Sequence, residues 1–192
     1  EGGGIYQNGN EVNLDEVAIL CNNGLDFGGA FVSFSGVMSL NLCTISGNDS
    51  NIGSAFNIRE AVVSITNSIL WNDSNAIYSS SGSQASMINI AHTNIYNSQS
   101  ELSSINNIIL DWGQGNISTD PLFCDINDNN YTLQEGSICL YASSSNGPIG
   151  AYNSAGCDQL LSLDKAYSPK NFILMQNYPN PFNPITNVKY SI

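Results

Sequence analysis

Apolar and turn-forming residues return every 25 positions through the first half of this chain. Three phrases set the period: Gly2-Gly3-Gly4-Ile5-Tyr6, Phe27-Gly28-Gly29-Ala30-Phe31 and Ile52-Gly53-Ser54-Ala55-Phe56, with 28 − 3 = 25 and 53 − 28 = 25. Stepping by the same interval links Val12, Val37, Val62 and Met87 in one apolar column, and Leu20, Ile45, Leu70 and Ile95 in another. A third column, Asn23, Asn48, Asp73 and Ser98, is turn-forming. A unit of this size cannot bury its own apolar face and is stable only when stacked on copies of itself. No segment keeps a 3.6-residue apolar period over a helical length. The pattern predicts an all-β parallel solenoid of about five coils, each with two or three short strands. Val37, Val62, Ile45, Leu70 and Ile95 are expected inside, and the asparagine column is expected at a bend.

The departures from the period carry information. Asp15 falls in the column of Leu40, Ile65 and Ile90, which implies a one-residue shift in the first turn. The fourth phrase has decayed to Asn75-Ala76-Ile77-Tyr78 and arrives three residues early. The polar run Ser79-Ser80-Ser81-Gly82-Ser83 then restores the register, as a loop insertion between strands would. A fifth turn is expected around Ile105 to Trp112. The chain therefore divides into coils at 1–117, a terminal coil or cap at 118–157, a linker at 158–171 and a proline-rich tail at 172–192. The cap is expected to cover the open end of the stack, where bare strand edges would template aggregation. Because Glu1-Gly2-Gly3 already lies inside a repeat, further coils are expected upstream.

Composition narrows the function classes. Charged residues are 10% of the chain, against a usual ~25%, and the formal charge is −12. Arg59 is the only Lys or Arg before Lys165. Nucleic acid needs a basic footprint and is excluded as a partner. An anionic polysaccharide would be repelled unless a cation bridged it. The five cysteines are Cys21, Cys43, Cys124, Cys139 and Cys157, with no Cys-x-x-Cys pair, and His92 is the single histidine, which speaks against zinc. Cys139 and Cys157 flank a Gly/Ser-rich loop and form the candidate disulfide. Cys43 sits in a small-residue column and is expected to be a free, packed thiol. No stretch is long and apolar enough to span a membrane as a helix.

Candidate chemistry is sparse. Trp71 and Tyr96 share a column, so stacked coils would bring their rings together, either as a ladder or as a platform for a sugar ring. Asp125, Asn127 and Asn129 alternate oxygen ligands as a calcium loop does. The loop lacks a glycine at its sixth position, and Glu135 falls one place short of the usual last ligand, so an Asx-rich turn is the competing reading. No other cofactor is expected. Arg59 stands beside Glu60 as a surface ion pair and is no substitute for the basic cluster a uronate lyase needs. Asp49, Asp73, Asp111 and Asp120 are scattered turn formers without the carboxylate pairing of a glycosidase. His92 reads as packed or hydrogen bonded. No catalytic residue is assigned. The sequons at Asn48, Asn72, Asn116 and Asn130 follow from composition.

Two stretches resemble known families. Cys43-Thr44-Ile45-Ser46-Gly47-Asn48 and Asn67-Ser68-Ile69-Leu70-Trp71-Asn72, each near a glycine-aromatic phrase, resemble right-handed parallel β-helix repeats of the pectin-lyase-like kind, over roughly residues 1 to 112. Asp120-Pro121-Leu122-Phe123, Tyr131, Leu133-Gln134, Gly136-Ser137 and Ile149-Gly150-Ala151-Tyr152 resemble the closing part of such helices in secreted bacterial proteins. Where that family carries a proline and an Ile-Asp-Ala-Gly run, this chain reads Ile138-Cys139-Leu140-Tyr141-Ala142. The tail resembles the opening of the type A C-terminal sorting domain of the bacterial type IX secretion system. Its matching core is Gln176, Asn177, Tyr178, Pro179, Asn180, Pro181, Phe182, Asn183 and Pro184, followed by the alternation Ile185, Asn187-Val188, Tyr190, Ile192. That resemblance implies the incomplete start of an immunoglobulin-like sandwich, type IX export machinery as a partner, and a place outside the cell or on the outer surface of a Gram-negative bacterium. A lone strand has no partner, so the tail is expected to be extended, poorly ordered and little engaged with the coils.

Together these readings imply a non-catalytic C-terminal part of a secreted, surface-displayed β-helix that binds glycan or adheres to cells. The alternative is the distal portion of a polysaccharide lyase or glycoside hydrolase whose active site lies in upstream coils.

Overall fold

The computed structural model describes residues 3–72, 76–97, 99–152 and 154–157, and the backbone of 173–174 and 190–191. The first coil runs through β1 (Ile5–Asn8), β2 (Glu11–Asp15), β3 (Ala18–Leu20) and β4 (Asn23–Phe27). The second repeats it as β5 (Phe31–Phe34), β6 (Val37–Asn41), β7 (Thr44–Ser46) and β8 (Asp49–Ile52). The third holds β9 (Phe56–Arg59), β10 (Val62–Thr66) and β11 (Ile69–Trp71), and the fourth β12 (Ile77–Ser79), β13 (Ser86–Ala91) and β14 (Asn94–Ile95). Like strands stack in parallel into three sheets, β1-β5-β9-β12, β2-β6-β10-β13 and β3-β7-β11-β14, with a short β4-β8 pair on a further side. This is a parallel β-solenoid of about four turns.

A fifth strand, β15 (Ile108–Trp112), joins the second sheet beside β13. The matching first-sheet position in chain order is taken by a short helix, α1 (Gln99–Ser103). Leu102 on that helix is buried in the main core, and Ile105 packs against it. The expected fifth turn is thus present as a strand in the second sheet, and in the third sheet as a single parallel bridge between Ile117 and Asn94.

The pairing register refines the sequence alignment. Ile5 pairs with Phe31, Leu14 with Leu40 and Ile19 with Ile45, so the first step is 26 residues and the anticipated one-residue shift is present. Tyr6 consequently pairs with Val32 and points outward, although the glycine phrases align it with Phe31. Ile77 pairs with Phe56, a step of 77 − 56 = 21. Met87 returns to a step of 25 from Val62, so the serine run between β12 and β13 supplies the missing four residues.

The glycine phrases mark the corner that leads into the first sheet. Gly28 and Gly53 have φ of +55° and +66°, and a Cβ on either would run into the carbonyl three residues ahead. Between the second and third sheets a left-handed residue recurs in every coil: Glu16, Leu42, Asn67 and His92, all with φ between +47° and +55°. His92 is half-buried there.

The core is one apolar column stack. Phe31 and Phe56 stack with centroids 4.8 Å apart and planes within 9°. Ile45, Leu70 and Ile95 are fully buried, as expected. Val37 is not: it is 43% exposed, and Val62 is only half-buried. The interior column of the second sheet is Met38, Val63 and Ile88, together with Leu40, Ile65 and Ile90. Successive side chains in a strand face opposite ways, so the neighbours of that interior column must face solvent. Cys43 is a buried free thiol, and its burial pushes its pKa up.

Residues 118 and 119 bond to Tyr96 and Asn94 of the last coil, and the segment that follows lies along the flank of the stack. β16 (Phe123–Asp125) and β17 (Asn130–Leu133) pair antiparallel. Ile69, on the outer side of the third sheet, packs with Leu133, Cys139, Leu140 and Ile149 in a second apolar cluster. Polar contacts reach every coil. Asn94 Nδ2 donates to Cys139 Sγ at 3.0 Å, and Gly150 N–H donates to the Asn67 carbonyl at 2.9 Å. Ala151 N–H donates to Thr44 Oγ1 at 2.9 Å, and Cys21 Sγ lies 3.1 Å from the Tyr131 hydroxyl. The disulfide joins Cys124 to Cys157, not Cys139 to Cys157. Cys139 is a buried free thiol held by Asn94 on the solenoid, so it is removed from the reach of Cys157.

The chain divides into two compact units, Glu1–Cys157 and Asp158–Ile192. In the second, β18 (Ile173–Leu174) pairs antiparallel with β19 (Tyr190–Ser191), so its described backbone is a strand pair and not a single extended strand. The sorting-motif residues Gln176 to Pro184, the linker, and the turn positions Asp73 and Ser98 lie outside the described residues. Among the described residues no helix is long and apolar enough to cross a membrane.

Candidate functional site

The flanking segment leaves an open groove of about 750 Å³ between itself and the solenoid corner that follows the third sheet. One wall is Ser46, Gly47, Asn48, Trp71 and Asn72, supplied by two successive coils. The other is Asp120 and the run from Leu122 to Asn127, with Tyr131 and Gln134. Two separate sequence candidates meet here: Trp71 of the aromatic column, and Asp125 with Asn127 of the alternating-oxygen loop.

Trp71 and Tyr96 do adjoin, but edge to face, with centroids 5.2 Å apart and planes at 75°. They form no coplanar platform. Trp71 is half-buried in the groove wall, and Tyr96 stands behind it with 45% of its surface exposed. Phe123 and Tyr131 make a second edge-to-face pair, at 5.1 Å and 74°. Burial, and after it the hydrogen bond with the Cys21 thiol, pushes the Tyr131 phenol well above its ordinary range. The groove therefore meets a neutral tyrosine.

Both acids are fixed by local turns. Asp120 Oδ1 accepts from Leu122 N–H at 2.9 Å. Asp125 caps the 3₁₀ turn Ile126–Asp128, its Oδ1 accepting from Asn127 N–H at 3.0 Å and Asp128 N–H at 3.3 Å. This is the Asx-turn chemistry that competes with a calcium loop. Asn129 ends the turn in the left-handed region and accepts from the Cys21 thiol at 3.4 Å. It does not line the groove with Asp125 and Asn127. Among the described residues no three His, Cys, Asp or Glu side chains gather as a metal site.

The amides on the solenoid side are buried and structural, although both residues border the groove. Asn48 Oδ1 accepts from both Asn22 N–H and Asn22 Nδ2, each at 3.0 Å, and its Nδ2 donates to the Ile19 carbonyl at 2.9 Å. Asn72 Nδ2 donates to the Asn48 carbonyl at 2.6 Å. Asn72 Oδ1 is buried and has no hydrogen-bond partner. Opposite, Gln134 Nε2 donates to the Phe123 carbonyl at 3.0 Å, which sets the side chain at the rim.

A second, shallower groove of about 390 Å³ runs over the outer face of the second sheet. Its polar groups bond to one another, as Asn41 Nδ2 does to Asp15 Oδ1 at 2.7 Å, and Asn67 Nδ2 to Asn41 Oδ1 at 2.9 Å. It presents no aromatic side chain and is the weaker candidate.

No family model, no curated protein and no solved structure matches this chain. Its chemistry has to be read from the groove. The sequence pattern marks Phe123, Tyr131 and Gln134 as parts of a closing motif, Asp120 as part of that motif and a scattered turn former, and Asn72 as a sequon within a repeat phrase. Their convergence depends on the segment turning back along the flank, which the linear pattern does not encode.

Proposed function

We propose that this chain is a non-catalytic glycan-binding module. It would belong to a secreted, surface-displayed β-helix of the pectin-lyase-like kind, carrying the start of a type IX sorting domain. The observation that supports binding is the groove itself. Sugars present an apolar face to aromatic rings and hydroxyls to fixed acceptors and donors. Trp71 supplies the first, and Asp120, Asp125, Asn127 and Gln134 the second, all lining one open cleft. The support for export is the run from Gln176 to Pro184, whose wording resembles the opening of a sorting domain.

Titration calorimetry of the full chain against a panel of neutral, acidic and amino oligosaccharides tests the binding reading. At least one class binds, and Trp71→Ala weakens it about tenfold or more, a usual cost for an aromatic anchor. If no class binds, or if Trp71→Ala binds as well as the parent, the reading is wrong. For export, deletion from Phe172 onward in the producing bacterium leaves the solenoid folded in the periplasm. Normal arrival of that truncated protein at the surface refutes the sorting reading.

The enzymatic alternative draws support from Asp120 and Asp125 sharing the groove, since glycosidases use two carboxylates. It requires new reducing ends from a polysaccharide substrate, and loss of that activity in Asp125→Asn.

A further inference from the structure

We infer that the groove selects sugars bearing a protonated amino group, so that its ligand is an amino-sugar polymer with free amines. This rests on the glycan-binding reading above. Two carboxylates, Asp120 and Asp125, line the cleft, and among the described residues no Lys, Arg or His does. Asp128 follows in the same turn, and its N–H donates to Asp125 Oδ1. Arg59, the one Arg among the described residues, lies on the first sheet with its guanidinium 4.6 Å from the centre of the Phe34 ring. A uronate would set its own carboxylate against two others with no base to pair it. A neutral sugar gains nothing from the charge. An ammonium gains from both acids.

Hydrogen-bond inventory points the same way. An ammonium carries three donors and no acceptor. Each groove carboxylate has one oxygen held by backbone N–H groups, and its other oxygen accepts no hydrogen bond among the described residues. Asn72, in the opposite wall, has a buried Oδ1 that no donor meets. Trp71 adds a ring face on which a cation is favoured over a neutral group. The groove is therefore richer in unspent acceptors than in donors.

The test uses the full chain at mildly acidic pH, where the sugar amine is protonated. Oligomers of β-1,4-linked glucosamine, of N-acetylglucosamine and of galacturonate are titrated by calorimetry, the last with and without calcium. The free-amine oligomer is expected to bind at least about tenfold tighter than the acetylated one, and about 1 M salt removes most of the difference, since the screening length there is ~3 Å. Asp120→Asn and Asp125→Asn each reduce the preference, because asparagine keeps the capping oxygen and removes only the charge. Glu11→Gln, an exposed acid on β2 that is absent from the groove lining, leaves it unchanged.

Equal affinity for the amine and acetylated oligomers overturns this inference and leaves glycan binding standing. So does tighter binding of galacturonate in calcium, which would mean that a bridging cation and not a sugar amine meets the acids. An equal loss in Glu11→Gln overturns it too, by showing attraction to bulk charge. Binding of none of the three, with none of the neutral panel binding either, overturns both readings.

Discussion

Removing the Cys124–Cys157 bond should loosen the flanking segment and leave the coils alone. The bond closes a stretch with a sequence separation of 33 residues. Chain-entropy arithmetic for a loop of that size gives about 12.5 cal/mol/K, or ~3.7 kcal/mol at 25 °C. That is between two and three decades of opening equilibrium, and it falls on a segment otherwise held by one small apolar cluster and a few hydrogen bonds to the coils. Solenoid stability is dominated by nearest-neighbour stacking, so the coils should not share the loss. Hydrogen exchange read by mass spectrometry on the Cys124→Ala/Cys157→Ala chain separates the two. The amides of Gly150 and Gly156, which donate to the Asn67 and Leu133 carbonyls, should lose up to about two to three decades of protection. The amides of Phe31 and Val62, which donate between coils to Ala55 and Gly36, should change by a factor of a few at most. An equal loss in both sets would mean that the flank and coils unfold as one unit. An unchanged flank would mean that the apolar cluster alone holds it. Either result refutes the reasoning.

Three further outcomes are expected. Met38→Ala should destabilise the chain by about 2–5 kcal/mol in denaturant titration, while Val37→Ala stays within ~0.5 kcal/mol; the reverse order would mean that β6 faces the other way. Asn48→Ala should cost about 1–3 kcal/mol by the same measurement, because it removes the acceptor of two Asn22 N–H groups and a donor to the Ile19 carbonyl at a buried corner. Glu60 accepts hydrogen bonds from Ser83 and the Gln84 amide, and these hold its carboxyl below its ordinary pKa. A depressed acid contributes above its unfolded value and stops contributing as pH falls through its folded one. Exchange at the Ser83 and Gln84 amides, corrected for intrinsic rate, should rise across that acid window in the parent, and Glu60→Gln should abolish the pH dependence.

How much of the fold is legible in the sequence follows from how coils stack. Like residues sit over like at one strand spacing, so the 25-residue interval by itself places Ile45, Leu70 and Ile95 in one column. The facing of Val37, Val62 and Met87 is harder to read. The outward column is itself apolar, down to Ile109 on β15, so periodicity alone gives no sign of which side is in. The discriminating signal is two residues on: Ser39, Ser64 and Asn89 share that face and are polar, whereas Leu40, Ile65 and Ile90 share the face of Met38. The disulfide is misplaced by sequence reasoning because loop composition says nothing of what a thiol meets across the fold; Cys139 meets Asn94, 45 residues away. The Trp71–Tyr96 contact is legible as a column, but its edge-to-face geometry depends on side-chain torsions that no spacing fixes.

The groove lies where the periodic part of the chain meets the aperiodic part, and backbone conformation shows why. A repeat presents each coil with the same neighbours, so its flank is regular, and the groove it forms over the second sheet is the shallower one. Leu42 has φ of +51°, unfavourable for a branched side chain, yet its column in the other coils is equally left-handed, so that conformation belongs to the architecture. Leu122 has φ of +54° with no such column to explain it. It is held there by Asp120, which accepts its N–H, and by the Gln134 amide, which donates to its carbonyl at 2.9 Å. All three residues line the groove. A strained leucine costs on the order of 1–3 kcal/mol and persists only where its surroundings over-determine it. Here the same bonds that enforce the strain also fix Asp120 and Gln134 at the groove, opposite Asn72 and Trp71. Folding the segment back along the flank thus creates both the cleft and the rigidity of its polar wall.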